Sequence, residues 1–163
     1  SFIPSAEQTG HGPVRRLLMA PDATAALLDL CFNDPVLFRA VEAITGCAAL
    51  RFFAGSVYRL TAARGDVPWH DDCVDGRRVA MTMTLAPEAY DGGVLQLRER
   101  DGHEIRDVPN PGPGDAILFR IHPSLQHRNT PLTSGTKTAF AGWFGDGPSL
   151  ARRLRSATAE GVQ

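Results

Sequence analysis

The stretch DAILFRIHPSLQHRNTPLTSGTKTAFAGWF, residues 115–144, reads as a strand, a short loop with a histidine, and another strand. Its apolar runs are too short for helices and are bounded by Pro, Asn and Gly, the usual punctuation of strands. The texture continues upstream. PNPGPGD (109–115) is a Pro/Gly loop that a central strand could not tolerate. In GGVLQLRER (92–100), Val94, Gln96, Arg98 and Arg100 point one way, and Leu95, Leu97 and Glu99 the other. The DG of RERDGHEI (98–105) marks a hairpin turn. RRVAMTMTLA (77–86) and ALRFFAGSVYRLTA (49–62) extend the series of short strands, the pattern of a sandwich or barrel.

The preceding segment differs. APDATAALLDLCFNDPVLFRAVEAITG (20–46) reads as two helices. Asp22 caps the first, with Leu27, Leu28, Leu30 and Cys31 as its apolar side. Pro35 opens the second and Gly46 ends it. The expected architecture is mainly β with supporting helices. A single domain spans residues 1–163, with helical support over about 20–46 and a β core over about 50–145.

Composition narrows the function. The chain has 163 residues, 43% hydrophobic and 21% charged, ordinary for a globular protein. A net charge of -1 argues against a nucleic-acid partner, which calls for surplus Lys and Arg. No apolar run approaches the ~20 residues of a membrane span, so no membrane partner is expected. The start lacks the apolar core of a secretory signal, and the three scattered cysteines suggest neither a disulfide framework nor a zinc knuckle. Cys31 and Cys47 are expected reduced and buried, and the compartment cytoplasmic.

PWHDDCVDGRRVAMTMTL (68–85) sets ligand chemistry at the mouth of an apolar strand. His70 and Asp72 are two apart and share a strand face, Asp71 points oppositely, and a third ligand must come from elsewhere. His103, His122 and His127 are the candidates. His127 is preferred, because Lys137 follows it by ten residues and begins a face shared with Ala139, Ala141 and Trp143. The small residues leave room for a ligand beside one positive charge. Two His and one carboxylate on one side of an ion suit non-haem Fe(II), whose open positions accept a chelating cosubstrate and oxygen.

On WHDD, RRVAMTMTLAPEAYDGGVLQL, PGPGDAILF and LQHRNTPLTSGTKTAFAGW, from about Val57 to Phe144, the chain resembles the 2-oxoglutarate-dependent Fe(II) oxygenases, particularly their prolyl-hydroxylase-like branch. The resemblance implies a double-stranded β-helix, or jelly roll, backed by N-terminal α-helices. It implies His70, Asp72 and His127 as the catalytic metal ligands. It also implies Lys137 as the partner of the distal carboxylate of 2-oxoglutarate. The commonest pattern has Arg there. Lys lacks the planar fork of Arg, so a helper is expected from Tyr58 or a strand hydroxyl, Thr82 or Thr84. Gly92 and Gly93 match the family's Gly-Gly before a core strand.

The cofactors implied are Fe(II), 2-oxoglutarate as cosubstrate and O2, with ascorbate as an optional reductant. The activity implied is hydroxylation of an unactivated C–H in an amino acid, peptide or protein. Desaturation or ring formation would use the same chemistry, whereas halogenation normally requires the carboxylate ligand to be missing. The alternatives are a tailoring oxygenase acting on a small natural product, a cupin-type metalloprotein independent of 2-oxoglutarate, and a non-catalytic binding module. Loops 62–69 and 98–106 are the segments expected to select substrate.

Overall fold

A computed structural model of the chain describes residues 1–9, 12–47, 49–62, 67–74 and 76–151. Its helices follow from their caps. Helix α1 (Ala23–Phe32) begins where the Asp22 carboxylate accepts from Ala25 N at 3.0 Å. Helix α2 (Pro35–Thr45) begins at Asp34, has Pro in its first turn and stops at Gly46 in the left-handed conformation. No described helix is long and apolar enough to cross a membrane.

One α1 expectation is corrected. Leu28 and Phe32, one helical turn apart, pack on the core, so the helix turns Leu27 and Leu30 outward, 58% and 66% exposed. Cys31 is exposed as well, and only Cys47 is partly covered.

The strands are β1 (Phe2–Thr9), β2 (Gly12–Met19), β3 (Phe52–Thr61), β4 (Val67–His70), β5 (Arg77–Thr84), β6 (Asp91–Gly92), β7 (Leu95–Glu99), β8 (Ile105–Val108), β9 (Ala116–Arg120), β10 (Leu125–Asn129), β11 (Leu132–Ser134) and β12 (Thr136–Gly145). They form a six-stranded major sheet, β1-β2-β3-β12-β5-β9, and a four-stranded minor sheet, β4-β10-β7-β8. Strands β6 and β11 pair separately. This is the helix-backed jelly roll expected from the sequence. The hairpin β1–β2, which extends the major sheet, is an element the sequence reading did not foresee.

Alternation divides the major sheet into two functional faces. On one, Phe53, Val57, Val79, Met81, Phe140 and Phe144 join Phe38 and Val41 of α2 in the core. Phe53 contacts Phe140 and Phe144 with ring centroids 5.4 and 4.7 Å apart. Gly142, opposite Gly55 in register, makes this layer possible: a Cβ there would collide with the Ala54 carbonyl and come 2.7 Å from the Phe53 ring. The other face looks toward the minor sheet. Its register aligns Tyr58, Ala139 and Thr84 in one row and Ser56, Ala141 and Thr82 in the next. Lys137 lies opposite Leu60 at the end of that face.

Candidate active site

The minor sheet supplies two imidazoles by register alone. His127 of β10 is the direct cross-strand partner of His70 at the end of β4, and their ring centroids are 4.1 Å apart. Asp72 lies two residues past the end of β4, in irregular backbone. Its Oδ1 is 3.8 Å from His70 Nε2, and its Oδ2 is 3.4 Å from His127 Nε2. One ligand atom from each residue lies within 4.8 Å of the others, the geometry of a group able to hold a metal ion. Asp72 and His127 are each only 9% exposed.

The surroundings prepare these groups as electron-pair donors. His70 Nδ1 lies 2.8 Å from the Pro68 carbonyl; assigning the ring proton there leaves Nε2 open toward Asp72. Burial holds the His127 pKa below the ordinary histidine range, and His70 adds to the effect while Asp72 opposes it. Phe119 packs against the His127 ring at 4.9 Å. Burial therefore favours the neutral form of His127, and His70 presents Nε2 toward Asp72 when Nδ1 carries the proton.

Two contacts fix the carboxylate loop. Asp71 pairs with Arg100 and accepts from Cys73 N at 3.1 Å. Arg100 also donates to the Pro123 carbonyl at 3.0 Å, so the ligand loop is tied to the turn before β10. Arg77 Nη1 is 3.8 Å from Asp72 Oδ1, and its guanidinium lies 3.5 Å from the centre of the Trp143 ring. Arg78 pairs with Asp146 at 2.7 Å and is half exposed. A β-bulge between Phe144 and Gly145 shifts the β5–β12 register at that point. The rival histidines stay outside: His103 is exposed, and exposed His122 bonds with Ser124 Oγ at 2.8 Å.

A cavity of about 150 Å³ lies between the sheets, with His70, Asp72, His127, Tyr58, Thr82 and Trp143 on its wall. Trp143 is thus a lining residue. The Tyr58 phenol is buried, which raises its pKa; a hydrogen bond with Thr82 and the charge of Arg16 oppose that rise. Arg16, from the unforeseen hairpin, also lines the cavity, with its guanidinium 5.7 Å from the Tyr58 ring centre. Asn129 was equally unforeseen, although its place two residues after His127 signals a shared face.

Lys137 and Thr84 are not on the cavity wall, whereas Leu60, the cross-strand partner of Lys137, is. Both are 4% exposed, and Tyr58 is 6% exposed. The Lys137 ammonium donates to the Gly93 carbonyl at 2.6 Å and to Asn110 Oδ1 at 3.2 Å. Asn110 in turn donates to the Gly92 carbonyl at 3.0 Å, so the Gly-Gly pair acts through its carbonyls. Burial lowers the Lys137 pKa to about 8. Of the loops expected to select substrate, residues 63–66 lie outside the described residues.

Comparison with known proteins places the family and the fold. Residues 55–145 match the 2OG-Fe(II) oxygenase superfamily, more than half of the chain. Over 92 residues the chain is 33% identical to prolyl 3-hydroxylase OGFOD1 of Mus musculus, a match covering 51% of this chain but only 16% of that protein. Two solved structures share the fold. A 2OG-Fe(II) oxygenase family oxidoreductase from Burkholderia pseudomallei superposes with a TM-score of 0.66 at 14% identity, covering 93% of this chain and 76% of that one. A Pseudomonas putida prolyl-4-hydroxylase superposes with a TM-score of 0.62 at 21% identity, covering 82% and 72%. From the extent of the family match, the chain belongs to the 2OG-Fe(II) oxygenase superfamily.

Proposed function

We propose that the chain is an Fe(II)- and 2-oxoglutarate-dependent hydroxylase acting on a prolyl or related residue of an amino acid, peptide or protein. The convergence of His70, Asp72 and His127 within 4.8 Å carries the reading. The prolyl hydroxylases among its relatives support the substrate class.

The donor set fits the metal: two imidazoles and one carboxylate suit non-haem Fe(II) with positions left open. It fits the cosubstrate too, since a buried ammonium and strand hydroxyls are suitable partners for a carboxylate. When bound, the ion and 2-oxoglutarate would supply O2 activation and the oxidative decarboxylation that drives C–H hydroxylation.

The protein's own part is placement. His70 and His127 offer Nε2 lone pairs, and Asp72 adds negative charge. Arg77 and the Asp71–Arg100 pair hold the Asp72 loop. Lys137, with Thr84 or Tyr58 beside it, pairs with the cosubstrate's distal carboxylate. Phe119 and Leu95 keep the cavity apolar around the ligands.

Anaerobic titration tests this reading. A visible metal-to-ligand charge-transfer absorption should require both Fe(II) and 2-oxoglutarate, and succinate should form once O2 is admitted. His70→Ala and His127→Ala should abolish both signals, and His122→Ala should keep most of each. Equal loss in all three would overturn the choice of third ligand. A metal site indifferent to 2-oxoglutarate would return the chain to the cupin-type reading.

A further inference from the structure

The hairpin β1–β2 ends at Met19, ahead of the segment 55–145 matched to the family, yet it places a charged side chain on the cavity wall. Strand β2 joins the major sheet by pairing Leu17 with Arg59 and Leu18 with Tyr58. Alternation turns Arg16 to the same side as Leu18, the side on which Tyr58 looks toward the minor sheet. Its guanidinium stands 5.7 Å from the centre of the Tyr58 ring. The pairing ends at Tyr58 and leaves Ser56, two residues away on the same cavity wall, exposed to solvent. A molecule entering beside Ser56 therefore meets a wall that carries both Tyr58 and Arg16.

We infer that Arg16 binds a carboxylate of the primary substrate, and that the substrate is an acid carrying that carboxylate close to its reacting carbon. This rests on the 2-oxoglutarate-dependent reading above. In that reading both cosubstrate carboxylates are already placed, one chelating the metal and the other at Lys137. The cation on the cavity wall itself then falls to the substrate. A guanidinium presents five N–H donors in a planar fork that matches the two oxygens of a carboxylate, so Arg16 can take one while keeping other contacts. An amide carbonyl offers one neutral oxygen and a weaker bond. An internal prolyl residue has only such carbonyls near its ring. A free amino acid, or the last residue of a peptide, has the carboxylate. Arg16 thus selects an acid over an internal residue of a chain.

The test compares N-acetyl amino acids with their C-terminal amides, the proline pair first, by the succinate formed above the substrate-free rate. Free amino acids run beside them and tell an amino acid from a chain end as the source of the carboxylate. In wild-type protein at least one acid should outpace its amide by roughly tenfold or more, the scale of a lost hydrogen bond to a charged group. This comparison needs no variant. Arg16→Gln should bring acid and amide level, and Arg16→Lys should restore part of the preference. Affinities for Fe(II) and 2-oxoglutarate, titrated anaerobically, should hold in both variants. Amides that serve as well as acids would overturn the inference, as would a lack of response to every acid or an acid preference that survives in Arg16→Gln. So would a weakened 2-oxoglutarate affinity in Arg16→Gln, which would assign the guanidinium to the cosubstrate. Wild-type protein that bound no 2-oxoglutarate would instead remove the functional reading itself and the inference with it.

Discussion

The two sheets are held together by different forces. In the major sheet, Phe53, Leu60, Val79, Phe140 and Phe144 are at most 1% exposed, and α1 and α2 cover the phenylalanine layer. In the minor sheet, the only buried apolar strand residue is Leu95; the other buried residues of its strands are Gln126 and His127. Its outer face is a polar lattice. The guanidiniums of Arg98 and Arg128 stand over the Trp69 ring, 4.2 and 4.8 Å from its centre. Arg98 donates twice to Gln126 Oε1, at 3.0 and 2.8 Å. The histidines proposed as metal ligands therefore stand on the sheet with the smaller hydrophobic contribution, and Lys137 stands on the sheet with the larger. A cation bridging β4 and β10 would supply cohesion that the minor sheet lacks.

The strongest test of this contrast is Phe144→Ala. Its ring is fully buried and lies 4.7 Å from that of Phe53, so truncation should cost about 3–5 kcal/mol in urea unfolding. Arg98→Ala, in the minor-sheet lattice, should cost only about 1 kcal/mol, since neutral-acceptor hydrogen bonds and cation–π contacts are individually modest. Comparable losses would show that both sheets depend equally on their side-chain layers.

Next in size is the effect of metal on stability. A redox-silent divalent ion at about a hundred times its dissociation constant should stabilise the wild-type protein by about 2.7 kcal/mol. The gain should vanish in His127→Ala. Amide exchange should slow in β4 and β10 far more than in β3 and β12. Uniform protection across both sheets would erase the distinction drawn here.

These tests use features that were unevenly legible in the sequence. The helix boundaries were legible because Asp22, Pro35 and Gly46 act locally, each on the backbone beside it. Strand faces followed from alternation, which placed Lys137, Ala139 and Ala141 together. The candidate ligand set came from spacing and family resemblance, and the fold brings its three residues together, with His70 and His127 paired in cross-strand register. The bulge between Phe144 and Gly145 brings Arg77, and not Arg78, beside Asp72, a shift that strand alternation does not show. The N-terminal hairpin escaped because Pro4, Pro13 and its polar residues mask a strand pattern, and Arg16 escaped with it. Tyr90 carried no local signal at all. Its ring lies 5.9 Å from the ammonium of Lys137, far along the chain, a relation that only the folded sheet creates.

The smallest effect separates the two halves of the site by pH. Burial lowers the Lys137 pKa from 10.5 to about 8, so in the free protein the side chain is cationic below about 8 and neutral above it. A bound carboxylate favours the cation and raises that pKa again. Above pH 8, binding 2-oxoglutarate must therefore take up a proton, and its affinity should fall by roughly tenfold per pH unit, after a flat region below. The apo protein should behave oppositely. Between about 8 and 10.5 the unfolded chain holds a proton that folded Lys137 releases, so this residue makes the fold more stable as pH rises. Anaerobic titrations at several pH values, repeated in buffers of different ionisation enthalpy, would count the proton. Lys137→Arg should flatten the profile, because a guanidinium keeps its charge throughout. Affinity for 2-oxopentanoate, which has no distal carboxylate, should lack the step in either protein. A wild-type 2-oxoglutarate profile that stays flat well above pH 8 would mean that the carboxylate meets another cation. Arg16, already on the cavity wall, would then be the residue to test.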